Sequence, residues 1–184
     1  MVLPKNLSDQ ELMKCCRQGN SDCFSELYMR YHKAVFNSIL RLIQDFAQAE
    51  DLLQEVFILL YQEIMKDIQI EHFGGYSKRV AVHKTIRFLR QNKYMLFFED
   101  GYENLAEEQA EDEDLFEFRV EEVKKAISCL PDGYRTVVNL YVMEGLSHEE
   151  IAELLGVSQV TVRTQYHRAK KKIVSSVTKG DSAR

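Results

Sequence analysis

The chain has 184 residues, of which 45% are apolar and 29% charged, the balance of a globular protein with room for one domain or two small ones. The two prolines and eight glycines favour long helices over a turn-rich β fold. The net charge of −5 argues against a nucleic-acid partner, because domains that bind nucleic acids are usually basic. The N-terminus has no apolar targeting segment, and the longest apolar run, residues 56–61, is too short to span a membrane. We therefore expect a cytoplasmic protein without membrane insertion.

The N-terminal half has the pattern of an all-α bundle. Ser8 and Glu11 have the spacing of a capping box at the start of the first helix, and Gly19 suits its C-terminal end. Either Asn20 or Ser21 caps the second helix, whose apolar residues recur every three or four positions. No stretch alternates with the period of a strand. The predicted third and fourth helices span residues 47–65 and 76–94, with a break at 67–75.

The cysteines and histidines do not follow a metal-binding or catalytic pattern. Cys15, Cys16 and Cys23 lie near the N-terminus, Cys129 is isolated, and no CxxC spacing is present. We therefore expect buried, reduced thiols in a cytosolic protein and not a zinc site. The sequence also has no Gly-rich phosphate loop, HExxH motif or GxSxG elbow. We therefore predict no catalytic residue, metal, cofactor or small-molecule substrate.

The third helix carries more apolar residues than one buried face requires. A stripe with three- and four-residue spacing lies on its other side and consists of Glu50, Asp51, Gln54, Glu55 and Ile58. A charged stripe is usually just the solvent-exposed face of a helix. The additional apolar surface favours a partner-binding surface instead.

The fourth helix carries bases and no acids. Four of its side chains share one face: Arg79, His83, Arg87 and Arg90. Lys78 adds a further base, and because a solvated helix usually mixes signs, the pattern indicates a track for nucleic-acid phosphates. Phe73 and Tyr76 at the start of the helix suit stacking on unpaired bases, but they equally suit a hydrophobic staple.

Residues 99–122 differ sharply in composition from the rest of the chain. They contain twelve acids and one base, a net charge of −11. Dense like charges repel one another, so we predict an acidic linker that joins helical domains at residues 1–98 and 123–184. These domains carry net charges of +2 and +4, and the linker therefore accounts for the overall acidity.

The C-terminal domain has the pattern of a helix-turn-helix. Its first helix ends at Pro131, and the second, from Asp132 to Gly145, is predicted to turn inward Tyr134, Val137, Val138 and Tyr141. A capping box at residues 147–150 then precedes a short helix, and Gly156 supplies the turn before the last helix, which Ser158 caps.

The last helix gives the clearest indication of function. If Val162, Tyr166, Ala169 and Ile173 face inward, helical geometry turns outward Arg163, Thr164, His167, Arg168 and Lys171. Arginine and threonine at such positions reach base edges and phosphates in the major groove. The alternative is that these bases only face solvent, since the helix dipole by itself favours bases near a C-terminal end, as at residues 170–172. The position after a capped helix and a glycine turn favours DNA binding.

Several short motifs, and the order in which they follow one another along the chain, resemble those of bacterial RNA polymerase sigma factors. The resemblance is to the small extracytoplasmic-function (ECF) group of the sigma-70 family. AEDLLQEVF at residues 49–57 is similar to the family's second conserved region. Motifs similar to the fourth region are LPDGYR at 130–135, EGLS at 144–147, EIAE at 150–153, TVR at 161–163 and RAK at 168–170.

The resemblance implies a protein that binds core RNA polymerase and directs promoter-specific initiation of transcription. Asp51, Gln54 and Glu55 would dock on the β′ clamp helices. The fourth helix would recognise and help to melt the −10 element, and the segment 67–75 would capture a flipped base. The C-terminal domain would contact the β flap and read the −35 element with the outward residues of its last helix.

The resemblance also implies a path for the linker and one further partner. The acidic linker would run toward the polymerase active-site and RNA-exit channel, and an anti-sigma factor would control the protein. The alternative is a free-standing helix-turn-helix regulator of transcription whose N-terminal bundle is a dimerisation or sensory module.

Overall fold

The computed structural model describes residues 7–91 and 120–181, with side chains up to residue 178. Within these ranges the chain is helical and contains no strand, which confirms the all-α fold. The helices are α1 (Asp9–Arg17), α2 (Ser21–Ile43), α3 (Phe46–Met65), α4 (Phe73–Gln91), α5 (Val120–Ser128), α6 (Asp132–Val138), α7 (His148–Leu155) and α8 (Gln159–Asp181). No described helix is long and apolar enough to cross a membrane.

The chain divides into two compact units, Met1–Leu89 and Arg90–Arg184, which we call the N-terminal and C-terminal units. The division falls within the last turn of α4. Most of the predicted acidic linker, residues 99–119, lies outside the described residues. Its last three residues form the first turn of α5.

The start of the N-terminal unit folds as its capping residues predict. The Ser8 amide donates to Glu11 Oε2 at 2.7 Å, and the Glu11 amide donates to Ser8 Oγ at 3.3 Å, so the capping box of α1 is complete. Gly19, with a φ of 89°, turns the chain after α1. Asn20 is the residue that caps α2, because its Oδ1 accepts from the Asp22 amide at 3.0 Å.

The packing of the turn between α1 and α2 contradicts the expectation of reduced, buried thiols. Cys15 and Cys23 form a disulfide across this turn, with their Cα atoms 6.1 Å apart, because the two helices lie side by side. Cys16 is free and buried, and burial raises the pKa of its thiol. Cys129 is free but exposed. In the described parts of the chain, no cluster of His, Cys, Asp or Glu is suited to a metal ion.

Helix α4 begins three residues earlier than predicted, at Phe73 and not at Tyr76. Two consecutive glycines predict a break, but Gly74 lies inside the first turn, where a Cβ would be 2.5 Å from Cε1 of Tyr31. The absence of a side chain at Gly74 therefore leaves room for the Tyr31 ring of α2. Phe73, whose ring also packs against Tyr31, belongs to the core of the unit.

The C-terminal unit is built around α8, which packs on α5, α6 and α7. One cluster of its core contains Ile127, Leu130, Val138 and Ala169. After α6 the chain continues as a five-residue π-helix, Asn139–Met143. This wider turn shifts the helical register, so Tyr141 is 37% exposed and is not one of the inward residues as predicted.

Candidate nucleic-acid interface

Helices α7 and α8 form the predicted helix-turn-helix. Ser147 caps α7 in a complete capping box with Glu150, and Gly156 ends the helix in the left-handed conformation, with a φ of 70°. Ser158 then starts α8, because its Oγ accepts from the Thr161 amide at 3.1 Å. The turn and the start of the last helix are therefore fixed by local sequence.

The buried positions of α8 determine which of its faces remains open. Val162 and Ala169 are 0% exposed and anchor the inner face. On the other side Arg163, His167 and Lys171 are exposed, while Thr164 and Arg168 are half-buried. The five residues predicted to contact the −35 element thus lie together on the outer side of one helix, at spacings of three and four.

An aromatic cluster of Tyr141, His148 and Tyr166, which the sequence does not predict, packs α7 against α8. His148 at the start of α7 stacks on Tyr141 with ring centroids 4.5 Å apart, and Tyr166 of α8 lies 4.6 Å from Tyr141. The Nε2 atom of His148 is buried without a hydrogen-bond partner in the described structure. Burial, and then the positive charge of Arg163, lower the pKa of His148 below its usual value of 6.5.

The outer side of α4 presents the second basic surface. Arg79, His83, Arg87 and Arg90 are all exposed, and Lys78 is half-buried beside them. The other side of α4 is held in the unit by buried residues: Ser77, Ala81, Val82, Thr85, Ile86 and Leu89. The predicted basic face therefore exists as one continuous side of the helix.

The two aromatic residues predicted at the start of α4 have different environments. Phe73 is 0% exposed, and its ring packs 5.4 Å from that of Tyr31, so it has no face available to a DNA base. The prediction of Phe73 as a DNA contact is wrong for this reason. Tyr76 is half-buried, and burial, followed by the nearby Glu63 carboxylate, raises the pKa of its hydroxyl.

The connection between α3 and α4 is shorter than the predicted segment 67–75, since its last three residues belong to α4. Helix α1 holds this connection in place. The Gln10 side chain donates to the carbonyl oxygens of Ile70 and Glu71, at 2.6 and 3.0 Å, and Arg17 forms an ion pair with Asp67. Sequence reasoning misses these contacts because the partners are 50 to 61 positions apart.

The outer face of α3 combines polar and apolar side chains. Asp51 and Gln54 are exposed, whereas Glu55 forms an ion pair with Lys84 of α4 at 2.8 Å and stays 58% exposed. Ile58 continues the stripe and is 59% exposed. Further along, Tyr61 and Met65 are also exposed. Exposed apolar side chains beside polar ones are typical of a protein interface, in which an apolar core is surrounded by a polar rim.

Both units match models of one protein family. Residues 27–94 match the model described as sigma-70 region 2, and residues 120–173 match the model described as sigma-70, region 4. The first match contains α3 and α4, and the second contains the helix-turn-helix. Together they cover about two thirds of the chain.

Similar proteins come from several bacteria. The ECF RNA polymerase sigma factor SigW of Bacillus subtilis is 29% identical over 86% of this chain and 91% of its own. The ECF RNA polymerase sigma-E factor of Haemophilus influenzae is 26% identical over 95% of this chain and 98% of its own. The chain belongs to the ECF group of the sigma-70 family. It is therefore an RNA polymerase sigma factor, a member of a family of transcription initiation factors.

A solved structure supports the fold of this sigma factor. The sigma factor RpoE from Bartonella quintana, in complex with the anti-sigma factor NepR, matches with a TM-score of 0.51 and 16% identity. The match covers 84% of this chain and 96% of that one. Because the N-terminal bundle itself matches region 2, the alternative of a free-standing regulator with an unrelated bundle loses its support.

Proposed function

We propose that this sigma factor recruits core RNA polymerase to promoters by reading the −35 element with α8 and the −10 element with α4. The observation that carries the proposal is the pair of one-sided basic helix faces, one on α4 and one on α8. Each face lies in a segment that matches a sigma-70 region. Two modest DNA-binding surfaces held by one polymerase bind cooperatively through their effective concentration, although each is weak alone.

At the −35 element, α8 is the recognition helix in the major groove. Arg163, Thr164 and His167 lie near its N-terminal end, where such helices reach base edges. Arg168 and Lys171 lie further along, where contacts with the phosphate backbone fix the register. The same unit contacts the β flap of the polymerase.

At the −10 element, the outer side of α4 tracks the phosphates of the strand that separates. Arg79, His83, Arg87 and Arg90 supply the exposed face, with Lys78 and Tyr76 at its edge. Unstacking costs a few kcal/mol per base step, and contacts with the flipped or unpaired bases offset this cost. Phe73 stays in the core and supports the helix from inside.

The outer face of α3 is the surface for core polymerase. Asp51, Gln54 and Glu55 contact the β′ clamp helices, and the exposed Ile58 adds apolar area beside them. Glu55 is the least available of the three for a polymerase contact, because its carboxylate already pairs with Lys84. We therefore assign the largest share of the binding specificity to Asp51 and Gln54.

An anti-sigma factor is a further partner in this proposal. The Bartonella quintana sigma factor with the similar fold was solved with its anti-sigma factor NepR. Binding of such a partner competes with polymerase if it covers the exposed outer face of α3. In this proposal the acidic segment 99–122, of which residues 99–119 lie outside the described residues, links the two DNA-binding units along the chain.

Co-purification with core polymerase tests the proposal, using the full chain with Asp51→Arg and Gln54→Ala. We expect binding to fall by about tenfold or more, because a reversed charge opposes the complementary surface of the partner. The matched control is Lys33→Glu with Asn37→Ala, a pair that is also exposed but lies on α2 and not on the proposed surface. Equal loss in both variants, or no loss in either, contradicts the assignment of α3.

In vitro transcription from genomic fragments tests the promoter function. The wild-type chain is expected to make core polymerase start at discrete sites, and the α3 double variant is expected to lose these transcripts. If the wild-type chain binds core polymerase but selects no start site, the proposed reading of promoter elements is wrong.

A further inference from the structure

Val160 has an unusual position in the C-terminal unit. It is 71% exposed, the largest exposed fraction among the large apolar side chains of the described residues. It lies in the first turn of α8, one residue after the helix begins at Gln159. A β-branched residue has no advantage in helix propensity at an exposed position, so neither packing nor helix formation accounts for valine here.

Around the axis of α8, helical geometry places Val160 on the same side as the residues of the proposed DNA-reading face. Val160, Thr164, His167 and Lys171 follow spacings of four, three and four, which align them in one row. Val162 and Ala169, both 0% exposed, lie on the side of the helix that packs against the unit. Val160 is therefore an apolar side chain within a row of polar and basic ones, at the end of the helix that enters the groove.

The major groove offers one apolar group to such a side chain, the C5-methyl group of thymine. All other base edges in that groove present hydrogen-bond donors or acceptors, for which valine has no partner. We propose that Val160 is a specificity residue that packs against a thymine methyl group in the −35 element. This inference rests on the proposed function of α8 as the −35 reader, and it adds the kind of base that the first turn selects.

The test uses holoenzyme made from the full chain and core polymerase. The probe is a library of duplex promoter fragments in which the base pairs of the −35 element are randomised. The best-bound sequence is then remade with deoxyuridine in place of each thymine in turn. Uracil keeps every hydrogen-bonding group of thymine and lacks only the methyl group, so the comparison isolates the apolar contact.

We expect one position at which uracil weakens binding about fourfold, the effect of removing one buried methyl group from an apolar contact. In Val160→Ala the ratio of thymine to uracil affinity falls to about one at this position. The helix itself is not at risk, because alanine has a higher helix propensity than valine. The matched control is Val142→Ala, an exposed valine of the same unit outside α8, which keeps the fourfold ratio.

Three results overturn the inference. No thymine position is sensitive to uracil, or the sensitivity is unchanged in Val160→Ala, or that variant weakens binding to all sequences equally. A holoenzyme that selects no sequence from the library overturns the proposed promoter function as well. Selection without any discrimination between thymine and uracil overturns the role of Val160 alone.

Discussion

His148 shows how one residue couples the fold of the helix-turn-helix to its outer surface. Its ring stacks on Tyr141, and its Nε2 atom is buried without a partner. Burial lowers the pKa of His148, and the positive charge of Arg163 on α8 lowers it further. Its place at the N-terminus of α7 also disfavours a positive charge, because the helix dipole is positive there.

The sign of this shift predicts a pH dependence of stability. Because the unfolded chain binds a proton on His148 more readily than the folded chain, protonation favours unfolding. The contribution of His148 to the free energy of unfolding is complete above its usual pKa of 6.5, and it is lost as the pH falls through the lower pKa of the folded state.

Titration of the His148 ring by NMR measures the pKa directly. We expect a value below 6.5 in the wild-type chain and a partial rise toward it in Arg163→Gln, since burial remains. A ring that titrates at or above 6.5 in the folded wild-type protein contradicts the environment described for it.

At the scale of the elements, short helices depend on their caps. Helix α7 has only eight residues, and the Ser147–Glu150 capping box satisfies two of the amide groups at its N-terminus. The Ser147 amide donates to Glu150 Oε2 at 2.8 Å, and the Glu150 amide donates to Ser147 Oγ at 3.2 Å. Since α7 packs against α8, this cap contributes to the orientation of α8.

Ser147→Ala is expected to lower the free energy of unfolding by about 1 kcal/mol, the usual contribution of an N-cap side chain. Urea denaturation followed by circular dichroism measures the change. The matched control is Ser176→Ala, an exposed serine within α8 with no capping role, which is expected to leave stability unchanged within about 0.5 kcal/mol. Equal effects of the two substitutions contradict the role assigned to the cap.

At the scale of the whole molecule, the net charge hides an uneven distribution. Residues 99–122 carry −11, whereas residues 1–98 and 123–184 carry +2 and +4. The bases of the two flanking segments are further concentrated on the outer sides of α4 and α8. An acidic protein therefore presents two basic surfaces, and its total charge is a poor guide to its partners.

Because these two surfaces belong to different units, their contributions to promoter binding are expected to add. The salt dependence of holoenzyme binding to promoter DNA measures them. Arg87→Ala and Arg168→Ala are each expected to reduce the slope of log affinity against log salt by about one, and the double variant by about two. Lys14→Ala, an exposed base on α1, is the control and keeps the wild-type slope. A double variant no different from either single one contradicts two separate DNA contacts.

The sequence by itself determines the features that depend on neighbours three or four positions away. The capping boxes at Ser8 and Ser147 and the basic faces of α4 and α8 all follow from local spacing. The family membership follows in the same way, because its motifs are short and retain their order. Within a helix, the spacing of residues along the sequence is enough to predict which side chains share a face.

Only the tertiary structure decides the features that depend on distant partners. The burial of Phe73 depends on packing against Tyr31 of α2, whose ring also lies beside Gly74. The partial exposure of Tyr141, whose ring packs on His148 and Tyr166, accompanies a π-helical register that no local sequence pattern predicts. The Cys15–Cys23 disulfide likewise requires two helices packed side by side. In each case contacts between elements, and not the propensities of the segment, determine which side chains remain available for DNA or for a partner.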